Sequence, residues 1–187
     1  MNTPSALTFA DPSAIVDQLT IASGSKVADF GCGSGFFSFE FAQRVGSEGV
    51  IYALDVLPSA LEAVMSRAKM LNLSNIVTKR VNLERENGSG LNPQSVDWVV
   101  IKDILFQNKN KDVILREVSR VLKPGGYAIL MEWNPKETMV GPDAALRVTP
   151  EQLRSLLDAV HLAVEKELGV GGFHYAFLIK KESFPVT

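Results

Sequence analysis

The sequence predicts a doubly wound α/β domain, a mainly parallel sheet with helices on both faces, and three observations carry that expectation. Strand-like apolar runs alternate with helix-period segments through most of the chain. One of these runs, residues 96–101 (VDWVVI), is almost continuously apolar, as a strand covered on both faces must be. The third observation is the stretch VADFGCGSGFF, which places Gly31, Gly33 and Gly35 at alternate positions between a strand and a helix.

Lys26–Phe30 is the opening strand and residues 35–45 the helix after it, stopped by Gly46, which can take the left-handed dihedrals of a C-terminal cap. Val50–Asp55 is the second strand. Pro58 fits the first turn of a helix whose Leu61, Val64, Met65, Ala68 and Leu71 share one face. Residues 75–81 form a third strand, and the polar, glycine-bearing residues 85–95 read as loop. After the strand at 96–101, Val113, Ile114, Val118, Val121 and Leu122 make the stripe of a helix ended by Pro124-Gly125-Gly126. Residues 127–133 are the fifth strand. Thr149 caps a helix beginning at Pro150, with Glu151 and Gln152 in its first turn. Leu162–Leu168 and residues 173–180 flank Gly171-Gly172 with no helix between them, which predicts an antiparallel hairpin.

With 187 residues and no repeat or break in composition, residues 1–187 are expected to form a single domain, with residues 1–22 as an N-terminal helix and lid segment. Lys plus Arg number 19 against 21 Asp plus Glu, with no long basic block, which disfavours a nucleic-acid partner. No signal-like start and no membrane-length apolar run are present, so the expected location is cytoplasmic, with no membrane partner. One cysteine forms no internal disulfide and supplies no multi-thiolate metal site.

In doubly wound sheets ligands bind beyond the carboxyl ends of the strands, where strand order reverses. Missing Cβ atoms there let a ligand approach the backbone and free the turn to take positive φ. The following helix start favours an anionic group. A dinucleotide fingerprint needs a third glycine at the sixth position from Gly31, and that position holds bulky Phe36. The spacing present, Asp29 then Gly31, Gly33 and Gly35, resembles the acidic glycine motif of class I S-adenosylmethionine-dependent methyltransferases. The resemblance continues in Asp55 at the end of the second strand, in Asp97-Trp98-Val99-Val100, and in Leu122-Lys-Pro-Gly-Gly-Tyr-Ala-Ile-Leu130. It covers residues 13–181 and is nearest to the small, ubiquinone-biosynthesis-like group.

The resemblance implies a Rossmann-like seven-stranded sheet of order 3-2-1-4-5-7-6 with the last strand antiparallel, and S-adenosylmethionine as cofactor. It implies that Asp55 binds both ribose hydroxyls, a task suited to a carboxylate with two accepting oxygens. Gly31, Cys32, Gly33 and Gly35 line the methionine and ribose portion, and Val56 packs on adenine. Asn82 and Leu83 flank the adenine, with Glu84 a rival for its amino group. Asp29 orients the methionine amino group or, alternatively, caps the glycine turn. Lys102 is expected to matter through its backbone, because an ammonium repels a sulfonium.

The catalytic residues are not legible. Asp103 reads either as a contact to the acceptor or methionine ammonium, or as a helix cap. Glu132 reads as a general base or as a strand-end hydrogen-bond partner. His174 opens the last strand near the rim and can reach a substrate. The spacing of Glu132 and Asn134 departs from the magnesium site of catechol-type enzymes, so no metal is expected. Cys32 lacks a flanking base and reads as a small loop residue rather than a nucleophile.

Phe36 and Phe37 fall near the ligand mouth, and Phe9 is placed over the adenosine. The sequence after the fourth strand, IKDILFQ, lacks the Pro-Pro motif of many amine methyltransferases. Met139, Val140, Pro142 and Leu146 are left to form an acceptor pocket for a small, apolar metabolite. Methyl transfer to a small molecule by in-line displacement is the favoured activity. A nicotinamide-dependent oxidoreductase and a non-catalytic cofactor-binding protein are the alternatives. Oligomeric state is not legible.

Overall fold

The structure is a computed structural model that describes residues 9–136 and 138–182. Seven strands form one sheet: β1 (Lys26–Phe30), β2 (Val50–Asp55), β3 (Ile76–Arg80), β4 (Val96–Lys102), β5 (Leu122–Trp133), β6 (Leu162–Leu168) and β7 (His174–Lys181). Their order is β3-β2-β1-β4-β5-β7-β6, with β7 antiparallel to both β5 and β6 and every other pair parallel. This is the Rossmann-like order that the sequence led us to expect. Among the described residues five α-helices connect or flank the strands: α1 (Pro12–Val16), α2 (Phe36–Val45), α3 (Pro58–Met70), α4 (Lys111–Val121) and α5 (Pro150–Asp158). No helix of the described residues is long and apolar enough to cross a membrane.

Strand alternation divides the core between the two faces of the sheet. Val27, Ile51, Trp98, Val100, Ile129 and Met131 pack against Phe37, Phe41, Ala42 and Val45 of α2 and Ile15 and Val16 of α1. Ala28, Phe30, Leu54, Val99, Ile101 and Leu130 pack against α4 and α5 through Ile114, Leu115, Val118, Leu153 and Leu157. Four phenylalanines on α2 exceed what one face can bury, and the helix distributes them. Phe37 and Phe41 face the sheet, Phe39 joins Leu61, Val64 and Ala68 of α3, and Phe36 stays exposed.

The Lys-Pro-Gly-Gly joint differs from its expected role as a helix stop. α4 already ends at Val121, and Leu122 pairs with Val96 as the first residue of β5. The register then shifts, so that Trp98 faces Tyr127, and Gly125 carries the bulge with φ of 74°. Glycine supplies that dihedral without Cβ strain, and proline is tolerated where the ladder is already broken.

The loop before β4 is tied to α4 by a buried carboxylate. Glu117 accepts from the Ser89 N–H at 3.0 Å and from its hydroxyl, and pairs with Arg120 at 2.7 Å. Arg120 also donates to the Leu91 carbonyl at 2.8 Å. Burial pushes the Glu117 carboxyl up, but the hydrogen bonds from Arg120 and Ser89 prevail and hold it below its ordinary value. Glu117→Ala leaves the Ser89 N–H without its acceptor and the Arg120 guanidinium without its carboxylate, with the Leu91 carbonyl retained. It is expected to lower unfolding free energy by about 3–5 kcal/mol, read from the urea midpoint.

Candidate functional site

Chain order reverses between β1 and β4, and the crevice opens at their carboxyl ends. The glycine loop follows β1 there. Gly31 and Cys32 donate their N–H groups to the Leu54 carbonyl at 2.7 and 2.9 Å, and Gly35 N–H donates to the Cys32 carbonyl at 2.8 Å. The three glycines do different work. A Cβ on Gly31 would lie 2.5 Å from Ile104 Cδ1, and one on Gly35 would lie 2.8 Å from Val64 Cγ2, so both make room for protein packing. A Cβ on Gly33 would meet nothing within 4 Å, so this position faces the cleft.

Asp55 closes β2 and is buried. One carboxylate oxygen accepts from Gly33 N–H and the other from Leu57 N–H, each at 2.9 Å. The acid thereby clamps the glycine loop to the start of α3, and each oxygen keeps a further lone pair for another donor. Asp29 is buried beneath the loop and accepts from the Ser38 hydroxyl at 2.6 Å. Burial lifts its carboxyl to about 6, against the lowering effect of Ser38.

The cleft has two halves that share Gly31, Gly33 and Lys102. One, of about 420 Å³, is lined by Asp55, Val56, Leu57, Asn82, Leu83 and Ile104 among others. The other, of about 430 Å³, includes Phe9, Asp29, Phe36, Phe37, Lys102 and His174. A further cavity of about 570 Å³ lies by α4, among Arg116, Arg120, His161 and Lys181, and contains no residue of the glycine loop.

Asn82 is exposed, and its side-chain oxygen accepts from Glu84 N–H at 3.0 Å, folding it into a local turn. Glu84 accepts from Lys109 N–H at 3.1 Å, so the two adenine candidates both have local partners. The Lys102 ammonium is paired with the Asp103 carboxylate, which offsets the repulsion expected of it. Cys32 is buried against Phe39, Ala53 and Leu61, and burial, then the charges of Asp29 and Asp55, push its thiol up. That shift favours the protonated thiol, a poor nucleophile.

Asp103, Glu132 and His174 converge where β4, β5 and β7 meet. His174 Nε2 lies 3.2 Å from the Asp103 carboxylate, and its ring packs on Trp133 at 4.3 Å. Glu132 is buried and accepts from Leu105 N–H at 2.7 Å. Asn134 takes part differently, donating its backbone N–H to the Phe173 carbonyl. No group of three His, Cys, Asp or Glu among the described residues is placed to hold a metal ion.

Two expectations change. Phe9 lines the Asp29 half and packs on Phe173 at 5.1 Å, so it covers the opposite end from Asp55. Residues 1–8 of the expected lid lie outside the described residues. Met139 and Leu146 face solvent, and none of Met139, Val140, Pro142 and Leu146 lines either half of the cleft. The reason is Arg147, which the sequence did not single out. Its buried guanidinium donates to the carbonyls of Asn134, Lys136, Val140 and Pro142 at 2.6–3.1 Å, and this gathers the loop over Trp133.

A doubly wound sheet with an acid-flanked glycine loop after β1 and a buried carboxylate ending β2 defines a nucleoside-binding α/β domain. The model for the methyltransferase domain family matches residues 21–172, and the chain belongs to that family, within the class I S-adenosylmethionine-dependent methyltransferases. The ubiquinone/menaquinone biosynthesis C-methyltransferase UbiE of Haemophilus ducreyi is 34% identical over 64% of this chain and 45% of its own length. The demethylmenaquinone methyltransferase of Bacillus mycoides is 30% identical over 66% of this chain and 50% of its own. The chain thus spans about half the length of the curated relatives it matches. A SAM-dependent methyltransferase from Aquifex aeolicus shares the fold, with a TM-score of 0.83 and 21% identity over 92% of this chain and 90% of its own.

The glycine geometry gives a direct test. Gly33→Ala adds a methyl group in open cleft at a φ of 50°, so the strain is about 1–2 kcal/mol and the melting temperature falls by a few degrees. Its S-adenosylhomocysteine affinity, measured by calorimetry, is expected to fall by more than about tenfold.

Proposed function

We propose that this chain binds S-adenosylmethionine along the two-part cleft and transfers its methyl group to a small-molecule acceptor by in-line displacement. One observation carries the reading: the Asp55 half and the Asp29 half meet at Gly31, Gly33 and Lys102, and Gly33 presents bare backbone to the shared space. That cradle and the spare lone pairs of Asp55 fit a nucleoside with a vicinal diol.

In this reading Asp55 accepts from both ribose hydroxyls. Val56 and Leu83 flank the adenine, with Asn82 at its amino edge. The backbone of Gly31, Cys32, Gly33 and Lys102 follows the rest of the molecule, Gly35 supports the loop from behind where it packs on Val64 and Phe39, and Asp29 takes the methionine amino group. When bound, S-adenosylmethionine supplies a methyl group on a positively charged sulfur, a leaving group already activated. The protein's own task is alignment and exclusion of water, which Phe9, Phe36 and Phe37 serve at the mouth of the Asp29 half. Residues 1–22 act as the lid of one catalytic domain.

The named reactions of the Haemophilus and Bacillus relatives favour a quinone-like ring as the acceptor class. Calorimetry tests the cofactor: S-adenosylhomocysteine is expected to bind and NADH is not, and the reverse result removes the reading. Transfer of labelled methyl groups to a panel of hydroquinones tests the acceptor, and binding without turnover would make the chain a non-catalytic cofactor-binding protein.

A further inference from the structure

Four buried side-chain polar atoms among the described residues make no hydrogen bond; Glu132 Oε2 and His174 Nδ1 are two of them, and a third, Asp103 Oδ1, faces His174 Nε2 at 3.2 Å as an ion pair. Each such atom costs about 1–3 kcal/mol. Their concentration at one junction marks a place shaped by something other than stability. The fold holds it firmly. Asp103 follows β4 in a left-handed conformation, φ of 56°, and its N–H donates to the Met131 carbonyl at 2.9 Å. His174 is the first residue of β7, opposite Trp133 in the antiparallel ladder, and its N–H donates to the Gly171 carbonyl at 3.0 Å.

The imidazole has a defined polarity. With Nε2 on the Asp103 carboxylate at 3.2 Å, the proton belongs on Nε2 and the lone pair on Nδ1. A ring held by a carboxylate at one nitrogen, with the other buried and without a hydrogen-bond partner, is the arrangement of a general base and its orienting acid. The ring also lines the half of the cleft that Phe9, Phe36 and Phe37 close.

We propose that His174 is the proton acceptor of the methyl-transfer site, with Asp103 as the positioning residue that holds its ring. This rests on the methyl-transfer reading above. The acceptor is then a hydroxyl or an acidic carbon, which must lose a proton on methylation, rather than a thioether-like nucleophile that has none to lose. The balance is closed. The acceptor's electron pair forms the new bond to carbon, the carbon–sulfur pair stays on sulfur, and the acceptor's proton goes to His174 Nδ1. The resulting imidazolium is opposite the Asp103 carboxylate.

The charged and titratable neighbours are Lys102 from β4, which shares Asp103; Glu132 from β5; Tyr175 from β7, next to His174 in the chain and held as a neutral phenol by burial; Asp29 from β1 in the same half of the cleft; and Arg147 against Trp133. Burial and then the charge of Asp103 push the Glu132 carboxyl up to about 7. Around neutrality it therefore carries only part of a charge.

The chain has two histidines, so His161→Asn leaves a single imidazole to observe, and asparagine tolerates the left-handed backbone at that position. In this variant, saturated with S-adenosylhomocysteine, nitrogen NMR is expected to show His174 protonated at Nε2 and bare at Nδ1. Added 4-nitrophenol serves as the acceptor probe, because its phenolate absorbs visible light and reports proton loss without methyl transfer. Bound dye is expected to show a phenolate-to-phenol ratio about tenfold above free dye at the same pH, an apparent shift of about one unit, with His174 becoming imidazolium. His174→Gln and Asp103→Asn are each expected to remove this ionisation while S-adenosylhomocysteine still binds. A proton on Nδ1, or dye that stays protonated or unbound while S-adenosylhomocysteine binds, overturns the proposal. Failure of S-adenosylhomocysteine itself to bind the wild-type protein overturns the methyl-transfer reading instead.

Discussion

Asp55→Ala is expected to weaken S-adenosylhomocysteine binding by about a hundredfold or more in calorimetry. In the proposed complex the carboxylate accepts two hydroxyl hydrogen bonds, and bonds to a charged group are worth about 1.5–3 kcal/mol each. Their joint loss of about 3–6 kcal/mol corresponds to roughly 10²–10⁴ in affinity. The same side chain holds Gly33 N–H and Leu57 N–H at 2.9 Å, so its removal also loosens the loop that presents Gly33. Asp55→Asn separates the two effects. Asparagine keeps one accepting oxygen but turns a donor toward the other N–H, so binding is expected to fall less than in the alanine variant. Wild-type affinity in Asp55→Ala, with circular dichroism unchanged, would remove the sugar from this carboxylate.

Glu132→Gln is expected to stabilise the protein at pH 8 by about 3 kcal/mol and to flatten its stability profile between pH 5 and 7. The folded protein holds the Glu132 carboxyl at about 7, above its ordinary value of 4.5, with burial as the main cause and the charge of Asp103 adding to it. Between those values the folded state binds more protons than the unfolded state. Stability therefore falls as pH rises from about 4.5 to about 7, and the loss is complete above that. Asp29 acts in the same direction from 3.8 to about 6. Glutamine retains the oxygen that accepts from Leu105 N–H at 2.7 Å and supplies an N–H₂ donor in place of the unpartnered Oε2. Melting temperatures across the pH range are the measurement. The variant should melt about 6–12 °C above wild type at pH 8, leaving the slope due to Asp29. Parallel profiles for the two proteins would show that Glu132 is not the source.

The parts of the fold legible in the sequence were those set by local pattern. Nearly unbroken apolar runs gave the central strands, the helix-free glycine joint gave the β6–β7 hairpin, and the alternate glycines marked the turn beside the switch point. The end of α4 was misread because Pro124-Gly125-Gly126 is a strong stop signal wherever it falls, whereas only the β4–β5 register shows it to be a bulge. Arg147 had no signature at all. Its partners are backbone carbonyls of residues 134–142, and carbonyls leave no trace in residue identity. That one side chain turns Met139 and Leu146 outward, which is why apolar character alone assigned them to an acceptor pocket. Ser38 on Asp29 and Glu117 on Ser89 were missed because each pair joins two different elements, and only their packing brings the side chains together. The convergence of Asp103, Glu132 and His174 likewise depends on strand order, and sequence reading treated the three separately.

A crystal structure of the protein soaked with S-adenosylhomocysteine tests the central claim most directly. The account predicts the ribose hydroxyls on the Asp55 carboxylate, the adenine by Val56 and Leu83, and the chain passing Gly33 toward Asp29. An empty cleft, or a nucleoside whose sugar lies away from Asp55, would contradict it.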